Sequence, residues 1–597
     1  MFLLWGQYVR KYYLRYLIFV LIGFASLVLV DIYQLKIPEI IGGVVDELKT
    51  NGTIDINSAF FINSMIDVVV IAIVMFVGRI LWRLTLFYAS KKIDEKIRNE
   101  MFIKAEKLDI SYFHTTKVGN ILSWCTNDLE TLQDFLGWGT LQMIDGVFLT
   151  IFALSKMFIL DYALALIALV PISLIAVWGA ICEKQMSKIW DLRQESNDNL
   201  YDYSQESFTG IRVIKAFVKE RQQIRRFAKL ARENQEANIK FTFISVLFDV
   251  VIEIIIALVA AIILGFGGWF VYATITGSPV ELFGHQIIIQ PGRLVTFFGY
   301  FFSLIWPMIA LGQVVTNLSK ARTSYKRIAR FLDAEESIRD NDDAIELNDV
   351  QGKIVFNDFS FSYPDGDFDS LKNISLEIKP GETIGVIGKV GSGKTTLVNV
   401  LLRLYNVEKD SIYIDDIDLM NIKLKSLRDA ISIAPQDNFL FSDSIANNIS
   451  FADDEEDRDK VIASANFADV GGDIEGFPEQ YDEYLGEDGH TVSGGQKQRI
   501  SLARAYYKNA PILILDDSLS AVDLKTENNI LDNIEKERKG KTTIIIASRV
   551  SSVMNLDKII VLNKGRLEAF DTPKNLLTKS ETFKRMVALQ KLEREAM

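Results

Sequence analysis

The sequence predicts a helical membrane domain followed in the same chain by an α/β domain. Apolar stretches long enough to cross a bilayer are confined to the first half of the chain. After Leu332 the composition becomes polar and acidic, and short β-rich runs then alternate with helical patterns. A glycine-rich phosphate-binding motif lies in this second part. We therefore expect a membrane domain over 1–332, a linker over 333–352 and a P-loop α/β nucleotide-binding domain over 353–597.

The overall composition excludes several classes of protein. Hydrophobic residues make up 49% of the 597 residues although 24% are charged, which indicates that lipid-facing and water-facing stretches are segregated. The net charge of -12 argues against a nucleic-acid-binding protein, which normally has a basic surface. The 2 cysteines are too few for a disulfide framework or a zinc cluster. The 3 histidines lie far apart and have no metal-ligand spacing.

Six stretches of the first half are candidates for membrane-spanning helices, which need roughly 20 apolar residues each. Three contain no charged residue: Tyr162–Cys182, Ile254–Val280 and Leu294–Ser319. Three others contain a few charges: Leu14–Ile37, Phe61–Leu86 and Leu136–Leu160. We interpret the first stretch as a retained helix rather than a signal peptide, because no small-residue cleavage site follows it.

The distribution of Lys and Arg predicts the orientation of these spans. Basic residues precede the first span and are dense after the second and the fourth, whereas the other loops contain few or none. This alternation fits a multi-pass protein of the plasma membrane with both termini in the cytoplasm. The two cytoplasmic loops have helical periodicity over 91–108 and 206–233. They are either solvated connectors or extensions of the spans towards another domain, and periodicity alone does not decide between these two.

The phosphate-binding motif predicts a site for ATP and Mg²⁺. An apolar strand (383–388) precedes it and a helical run (395–405) follows it, as in P-loop proteins. Lys394 is expected to hold the β- and γ-phosphates, and Thr395 to ligate Mg²⁺. A second apolar strand ends in Asp516, a Walker B carboxylate that would face the metal. The candidate ATP-binding residues of this segment are Gly388, Gly391, Ser392, Gly393, Lys394, Thr395 and Thr396.

The sequence VSGGQKQR (492–499) just before Walker B resembles the signature of the ABC ATPases, a combination found in neither kinases nor GTPases. Other motifs follow in the order of that family. Tyr363 is similar to its adenine-stacking aromatic residue, Gln436 to its Q-loop glutamine and metal ligand, and Asp523 to its D-loop. Glu487 resembles the acidic loop of exporters. The membrane half is similar too, in its six spans and in the loop sequences KVGNILSWCTND and ESFTGIRVIKAF, so the whole chain resembles an ABC exporter half-transporter.

This resemblance implies a dimer. In the family, two ATPase domains face each other head to tail, and each ATP lies between the phosphate loop of one chain and the signature of the other. Closing of this sandwich turns the membrane domains outward, and hydrolysis resets them. The resemblance assigns the signature role to Ser493, Gly494, Gly495 and Gln496.

Two positions depart from the family pattern. The family has Glu after Walker B, where this chain has Asp517, and it has His in the switch loop, where this chain has Ser548. Both changes fall in the same half-site and predict slow hydrolysis there. The resemblance then points to a heterodimer, in which a different half-transporter supplies the normal Glu and His. The alternative is tolerated drift in an enzyme that hydrolyses ATP at both sites.

The expected function is export of hydrophobic or amphipathic molecules, of the multidrug type. Intramembrane carboxylates could form a cavity for cationic or amphipathic substrates. They could instead lie at interfaces or pair with Arg79, Arg83 or Lys156. An ATP-binding regulatory or sensor membrane protein, or an exporter of lipids or peptides, remains an alternative, whereas an importer is disfavoured by the fusion of the two domains. The carboxylates concerned are Asp31, Asp145, Asp249 and Glu253.

Overall fold

The computed structural model describes residues 6–51, 58–282, 285–364, 366, 368–486, 489 and 491–596. It divides the chain into two compact units. The first comprises Met1–Glu106 and Gly119–Ala334, and the second comprises Lys107–Val118 and Glu335–Met597.

Over its described residues, the first unit is helical apart from one short hairpin. Asp161 is the N-cap of α9, and its carboxylate accepts a hydrogen bond from the backbone N–H of Leu164 at 2.8 Å. α12 begins with Pro291, which needs no hydrogen-bond acceptor at that position. The helices from the N-terminus to Leu332 are α1 (Gln7–Arg15), α2 (Leu17–Gln34), α3 (Lys36–Asn51), α4 (Ala59–Lys107), α5 (Ile110–Thr115), α6 (Val118–Ser123), α7 (Leu129–Asp134), α8 (Thr140–Leu160), α9 (Tyr162–Thr209), α10 (Ile211–Ala216), α11 (Glu220–Ile275) and α12 (Pro291–Leu332). Two π-helical turns, Trp124–Asp128 and Phe135–Gly139, flank α7, and the hairpin strands are β1 (Val280–Leu282) and β2 (His285–Ile287).

Helical runs long and apolar enough to cross a membrane account for five of the predicted spans among the described residues. The fourth predicted span falls in α9, where the side chains of many residues from 171 onward lie outside the described set. α4 and α11, with 49 and 56 residues, are far longer than the roughly 20 residues that a bilayer requires. The predicted helical stretch 91–108 belongs, up to Lys107, to α4, the same helix that contains the second predicted span.

The second unit contains a mixed sheet of 10 strands in the order β7-β6-β3-β4-β12-β11-β5-β10-β9-β8. The strands are β3 (Ile354–Phe361), β4 (Leu371–Ile378), β5 (Thr383–Gly388), β6 (Ile412–Ile414), β7 (Ile417–Asp418), β8 (Ile431–Ala434), β9 (Ile512–Asp516), β10 (Thr542–Ile546), β11 (Lys558–Asn563) and β12 (Arg566–Asp571). The helices after Glu335 are α13 (Lys394–Leu401), α14 (Leu424–Ala430), α15 (Ile445–Ile449), α16 (Arg458–Phe467), α17 (Gly471–Glu475), α18 (Gly494–Tyr507), α19 (Leu524–Glu537), α20 (Pro573–Lys579) and α21 (Glu581–Ala596).

Five neighbouring strands of this sheet, β8, β9, β10, β5 and β11, are parallel. Every residue of β9 and β10 is buried, as is typical of parallel strands covered by helices on both faces. The carboxyl ends of parallel strands lie at one edge of a sheet, so the loops that follow these strands meet there.

The second unit also includes the loop segment Lys107–Val118 between two helices of the first unit. Asp109, just before α5, is 8% exposed. Its carboxylate accepts hydrogen bonds from the backbone N–H groups of Ser337 at 2.9 Å and Ile338 at 3.1 Å. The Ser337 hydroxyl donates to the same carboxylate. These contacts hold the segment against the chain that follows Ala334.

Candidate nucleotide-binding and hydrolysis site

Four loops converge at the carboxyl edge of the parallel strands. β5 leads into the phosphate loop, β9 into Asp516 and Asp517, β10 into Ser548, and β8 into Gln436. β10 lies between β5 and β9, and its last residue, Ile546, pairs with both Val386 and Asp516. Residues that are up to 160 positions apart in the chain are thus brought to one edge by the strand order.

The backbone conformation of the phosphate loop depends on its glycines. Gly393 has φ +98° at the start of α13, a conformation that other residues rarely adopt. A Cβ on Gly388 would lie 2.4 Å from the carbonyl oxygen of Leu562, so only glycine fits there. A Cβ on Gly391 would meet nothing within 4 Å, which leaves the outer side of the loop open. Open backbone N–H groups at a helix N-terminus form a site for an anion such as a phosphate.

Lys394 points back across this loop. Its Nζ donates hydrogen bonds to the carbonyl oxygens of Gly388 at 3.0 Å and Lys389 at 3.3 Å. Burial lowers the pKa of Lys394, and the nearby Asp517 and Asp516 oppose that effect. The ammonium group is therefore partly desolvated and positioned to meet an anion.

Two buried polar atoms indicate that the site fits a nucleotide with a divalent cation. Asp516 is 3% exposed, and its Oδ1 has no hydrogen-bond partner among the described residues. Burial raises the pKa of Asp516, whereas a hydrogen bond from Thr395 lowers it. The Ser392 hydroxyl is likewise buried without a described partner. Such orphaned atoms are rare unless a ligand or ion completes them, and a cation beside Asp516 and a phosphate beside Ser392 would do so.

The two residues that depart from the family pattern contact each other. The Ser548 hydroxyl donates a hydrogen bond to Asp517 Oδ1 at 2.7 Å. Asp517 has φ 48° and donates its backbone N–H to the carbonyl of Ile546 at 3.0 Å. Gln498, which is buried, donates its side-chain amide to the Asp517 carbonyl at 3.0 Å. The Asp517 carboxylate is therefore fixed against a hydroxyl group at the position where the family has an imidazole.

The switch loop that carries Ser548 is held by residues that no motif had indicated. Gln590 of α21 donates its amide to the Ser548 carbonyl at 3.2 Å and accepts the Val550 N–H at 2.7 Å. Glu527, 2% exposed on α19, accepts hydrogen bonds from Arg549 at 3.3 Å and from the Ser552 hydroxyl. Single Gln and Glu residues within amphipathic helices carry no sequence signal for such contacts.

The predicted signature forms the start of α18. Ser493 is the N-cap: its hydroxyl accepts the Gln496 N–H at 3.3 Å, and the Gln496 side chain accepts the Ser493 N–H at 2.9 Å. This reciprocal pair is a capping box. A Cβ on Gly494 would meet nothing within 4 Å, whereas one on Gly495 would lie 3.2 Å from the Ala521 carbonyl oxygen. The helix N-terminus is thus open to an anion.

This capped N-terminus is separate from the phosphate loop. Among the described residues, no hydrogen bond joins Ser493–Gln496 to the loop over 388–395. Gln496 instead donates to Asp473 at 3.3 Å, and Arg499 pairs with the same carboxylate at 2.7 Å.

Tyr363, Asp523 and Gln436 are the remaining predicted site residues that the structure describes. The Tyr363 hydroxyl donates to the buried Thr396 hydroxyl at 3.0 Å, and the Tyr363 ring meets that of Tyr405 edge-on at 5.1 Å. Asp523 is the N-cap of α19, and hydrogen bonds from Thr526 and Lys525 lower its pKa. Gln436 is exposed after β8. Glu487 lies outside the described residues.

The loop that carries Tyr363 contains a second aromatic residue that no motif indicated. Phe368 follows Tyr363 in the same loop and is 73% exposed. It is a second flat surface on which a nucleobase could stack.

Comparison with known proteins agrees with both parts of the chain. The family profile of the ABC transporter transmembrane region matches residues 20–308, and the ABC transporter profile matches residues 371–520. The chain is 31% identical to the probable multidrug resistance ABC transporter ATP-binding/permease protein YheI of Bacillus subtilis, over 98% of this chain and 97% of that protein. It is 32% identical to the multidrug resistance-like ATP-binding protein MdlA of Escherichia coli, over 98% and 96% of the two chains.

A lipid transporter and a solved exporter are also similar. The ATP-dependent lipid A-core flippase of Syntrophus aciditrophicus is 31% identical over 84% of this chain and 81% of its own. The structure of a bacterial Atm1-family ABC exporter with ATP bound has a TM-score of 0.77 and 23% identity, covering 98% of both chains. The predicted fold class is thereby confirmed. The chain belongs to the ABC transporter family, as an exporter with a helical membrane domain fused to an ATP-hydrolysing ABC domain.

Proposed function

We propose that this chain is one half of a heterodimeric ABC exporter and that the half-site built from its own Walker motifs hydrolyses ATP slowly. The observation that carries this proposal is the hydrogen bond from the Ser548 hydroxyl to Asp517 Oδ1 at 2.7 Å. It joins the two residues that depart from the family pattern, at the point where the attacking water must be positioned.

The chemistry of the two side chains supports slow hydrolysis. A carboxylate one methylene shorter than glutamate falls about 1 Å short of the usual reach, and a misplacement of ~1 Å can reduce a rate on the order of a hundredfold. One oxygen of the Asp517 carboxylate already accepts a hydrogen bond from Ser548, so the carboxylate has less capacity to orient a water. A serine has no titratable nitrogen and is too short to bridge a water and a γ-phosphate as an imidazole would.

The binding elements are retained. The open phosphate loop, the partly desolvated Lys394 and the orphaned Asp516 Oδ1 support binding of ATP with Mg²⁺, in which Thr395, Gln436 and Asp516 would hold the metal. The capping box at Ser493 leaves an open helix N-terminus. That terminus would complete the phosphate site of a non-identical partner that has the normal Glu and His.

The transported molecules are proposed to be hydrophobic or amphipathic. This rests on the relatives named as multidrug resistance proteins and on the apolar membrane unit. The basic loops after the second and fourth spans support a plasma-membrane orientation with both termini in the cytoplasm.

The test is the ATPase rate of the purified chain alone and after co-expression with a half-transporter encoded beside it. We expect activity in the pair and little in the single chain. Asp517→Ala should leave the activity of the pair nearly unchanged, whereas replacing the partner's Glu should abolish it. A homodimer of this chain with full turnover would refute the heterodimer proposal.

A further inference from the structure

Within the membrane unit, α2, α4, α8 and α12 surround a cavity of about 310 Å³ that contains charges of both signs. Asp31 and Asp145 lie on its walls, together with Arg79 and Arg83. Charged groups within membrane-spanning helices are costly and usually mark a substrate or ion pathway. The charged lining of this cavity therefore differs from the apolar side chains of ordinary helix packing, and a ligand with complementary charges would fit it.

The two carboxyl groups form a pair. Asp31 is 1% exposed, no hydrogen-bond donor among the described residues reaches its Oδ2, and it lines the same cavity as Asp145. Asp145 Oδ2 accepts a hydrogen bond from Trp306 Nε1 at 2.6 Å. Two adjacent carboxylates repel each other unless a proton or a cation lies between them. A substrate ammonium group would serve as that cation and would complete the unpartnered oxygen.

Tryptophan rings form another wall of the cavity. Trp138 and Trp306 both line it, and they are 48% and 46% exposed. Trp138 belongs to the π-helical turn Phe135–Gly139, a distortion that is frequent at functional sites. Indole rings beside carboxylates bind alkylated ammonium groups through cation–π attraction.

The two arginines connect this cavity to a second, apolar one. Arg79 and Arg83 are exposed on α4, and no ion pair involving either is present among the described residues. Both also line a neighbouring cavity of about 460 Å³, whose other walls include Met75, Phe76 and Ile80. Guanidinium groups bind phosphate bidentately. An anionic group at the arginines would thus lie between an ammonium site and an apolar groove.

Asp249 and Glu253, the other intramembrane acids singled out in the sequence, lie elsewhere. Both are exposed on α11, and neither lines the cavity of Asp31 and Asp145. Lys156 pairs with Glu39 at 2.7 Å rather than with Asp145.

We propose that this pair of cavities binds a zwitterionic amphiphile with an ammonium group at Asp31 and Asp145, a phosphate at Arg79 and Arg83, and its hydrocarbon chain along α4. This proposal rests on the export function proposed above and names its substrate class. A purely cationic amphiphile would bring its charge near two arginines, and a purely anionic one would meet the carboxylate pair. Only a molecule with both charges matches the whole lining.

The test uses three surfactants of equal chain length, an alkylphosphocholine, an alkyltrimethylammonium and an alkyl phosphate, with chainless phosphocholine as a fourth probe. Their affinities for the purified transporter, together with its partner if a pair forms, are measured without ATP by ligand-induced thermal stabilisation. The measurement does not depend on hydrolysis, so its failure is distinguishable from failure of the heterodimer proposal. We expect the alkylphosphocholine to bind about tenfold more tightly than each singly charged surfactant, and phosphocholine alone to bind weakly.

Substitutions test which residues bind the ammonium group and which bind the phosphate of the ligand. Asp145→Asn keeps an acceptor for Trp306 and should abolish the preference for alkylphosphocholine over alkyl phosphate. Arg79→Gln combined with Arg83→Gln should abolish the transporter's preference for alkylphosphocholine over alkyltrimethylammonium. Asp249→Asn, an intramembrane control outside the cavity, should change neither preference. Equal affinities for all three surfactants, or preferences that respond to Asp249→Asn as strongly as to Asp145→Asn, would overturn the proposal.

Discussion

At the scale of single residues, the proposed slow hydrolysis rests on the hydrogen bond between Ser548 and Asp517. Both side chains are shorter than those of the family pattern, so each leaves space where a longer side chain would reach the water. We expect Asp517→Glu combined with Ser548→His to raise hydrolysis at this half-site by up to about a hundredfold. The measurement is the ATPase rate of the pair in which the partner's Glu has been removed. The same double variant with Lys394→Ala is the control and should remain inactive.

Residues within contiguous motifs could be assigned from the sequence, whereas the residues that position them could not. The phosphate loop, Asp516 and the signature are recognisable because their chemistry requires fixed spacings in one short segment. Gln498, Gln590 and Glu527 act through contacts with distant segments. Such contacts exist only once the sheet has formed, so no local pattern indicates them.

At the scale of elements, α21 closes over the switch loop. Gln590 makes two hydrogen bonds to the backbone of this loop, one to the Ser548 carbonyl and one to the Val550 N–H. We expect Gln590→Ala to increase amide hydrogen exchange over 548–550 by about tenfold, since each lost hydrogen bond contributes ~1 kcal/mol. Lys591→Ala, at the exposed neighbouring position, is the matched control. Unchanged exchange in Gln590→Ala would show that the loop is held by other contacts.

Glu568 on β12 connects that strand to the start of α21. Burial alone would raise the pKa of Glu568, but hydrogen bonds from Ser580, Thr582 and Asn563 outweigh it and lower the pKa from 4.5 to about 2. A carboxylate with a depressed folded-state pKa stabilises the fold above its unfolded-state pKa, and this stabilisation is lost as pH falls towards the folded-state value.

We therefore expect Glu568→Gln to lower the Tm of the protein by a few degrees at neutral pH and to have a diminishing effect as pH falls from about 5 towards about 2. Thermal unfolding across this range measures it. Glu581→Gln, whose side chain is 90% exposed, should show no such dependence. A destabilisation by Glu568→Gln that is equal at all pH values would mean that its charge does not contribute.

Two strands of the parallel centre, β5 and β9, could be predicted from the sequence, because each is a short apolar run followed by a candidate phosphate-site residue. The periodicity over 91–108 predicts a helix, but it does not show whether that helix continues a membrane span. Periodicity reports which residues share a face and not where a helix ends, so the 49 residues of α4 could not be derived from it.

At the scale of the whole molecule, the composition change near Leu332 lies beside the division of the two compact units at Ala334 and Glu335. It does not mark the segment Lys107–Val118, which belongs to the second unit although helices of the first unit precede and follow it. This segment is short and mixed in composition, and the Asp109 carboxylate joins it by hydrogen bonds to the chain around Ser337.

Asp109 therefore provides a test of how the loop segment is held. Its carboxylate accepts two backbone hydrogen bonds, from Ser337 at 2.9 Å and from Ile338 at 3.1 Å, in a site where only 8% of the residue is exposed. Hydrogen bonds to charged groups contribute ~1.5–3 kcal/mol, and Asp109→Ala would leave both N–H donors without this acceptor. We expect amide exchange over 107–118 and at residues 337–338 to increase by about tenfold or more.

Lys117→Ala is the control for this variant, because Lys117 is exposed in the same segment. If Asp109→Ala raised exchange at 337–338 but not over 107–118, the amides of the segment would be protected by hydrogen bonds within α5 itself and not by the Asp109 carboxylate. If both regions responded together, the loop and the chain after Ala334 would open as one unit. An ATPase measurement on the same variant then separates local loosening from loss of the fold, since Asp109 belongs neither to β9, which carries Asp516, nor to α13, which begins with Lys394.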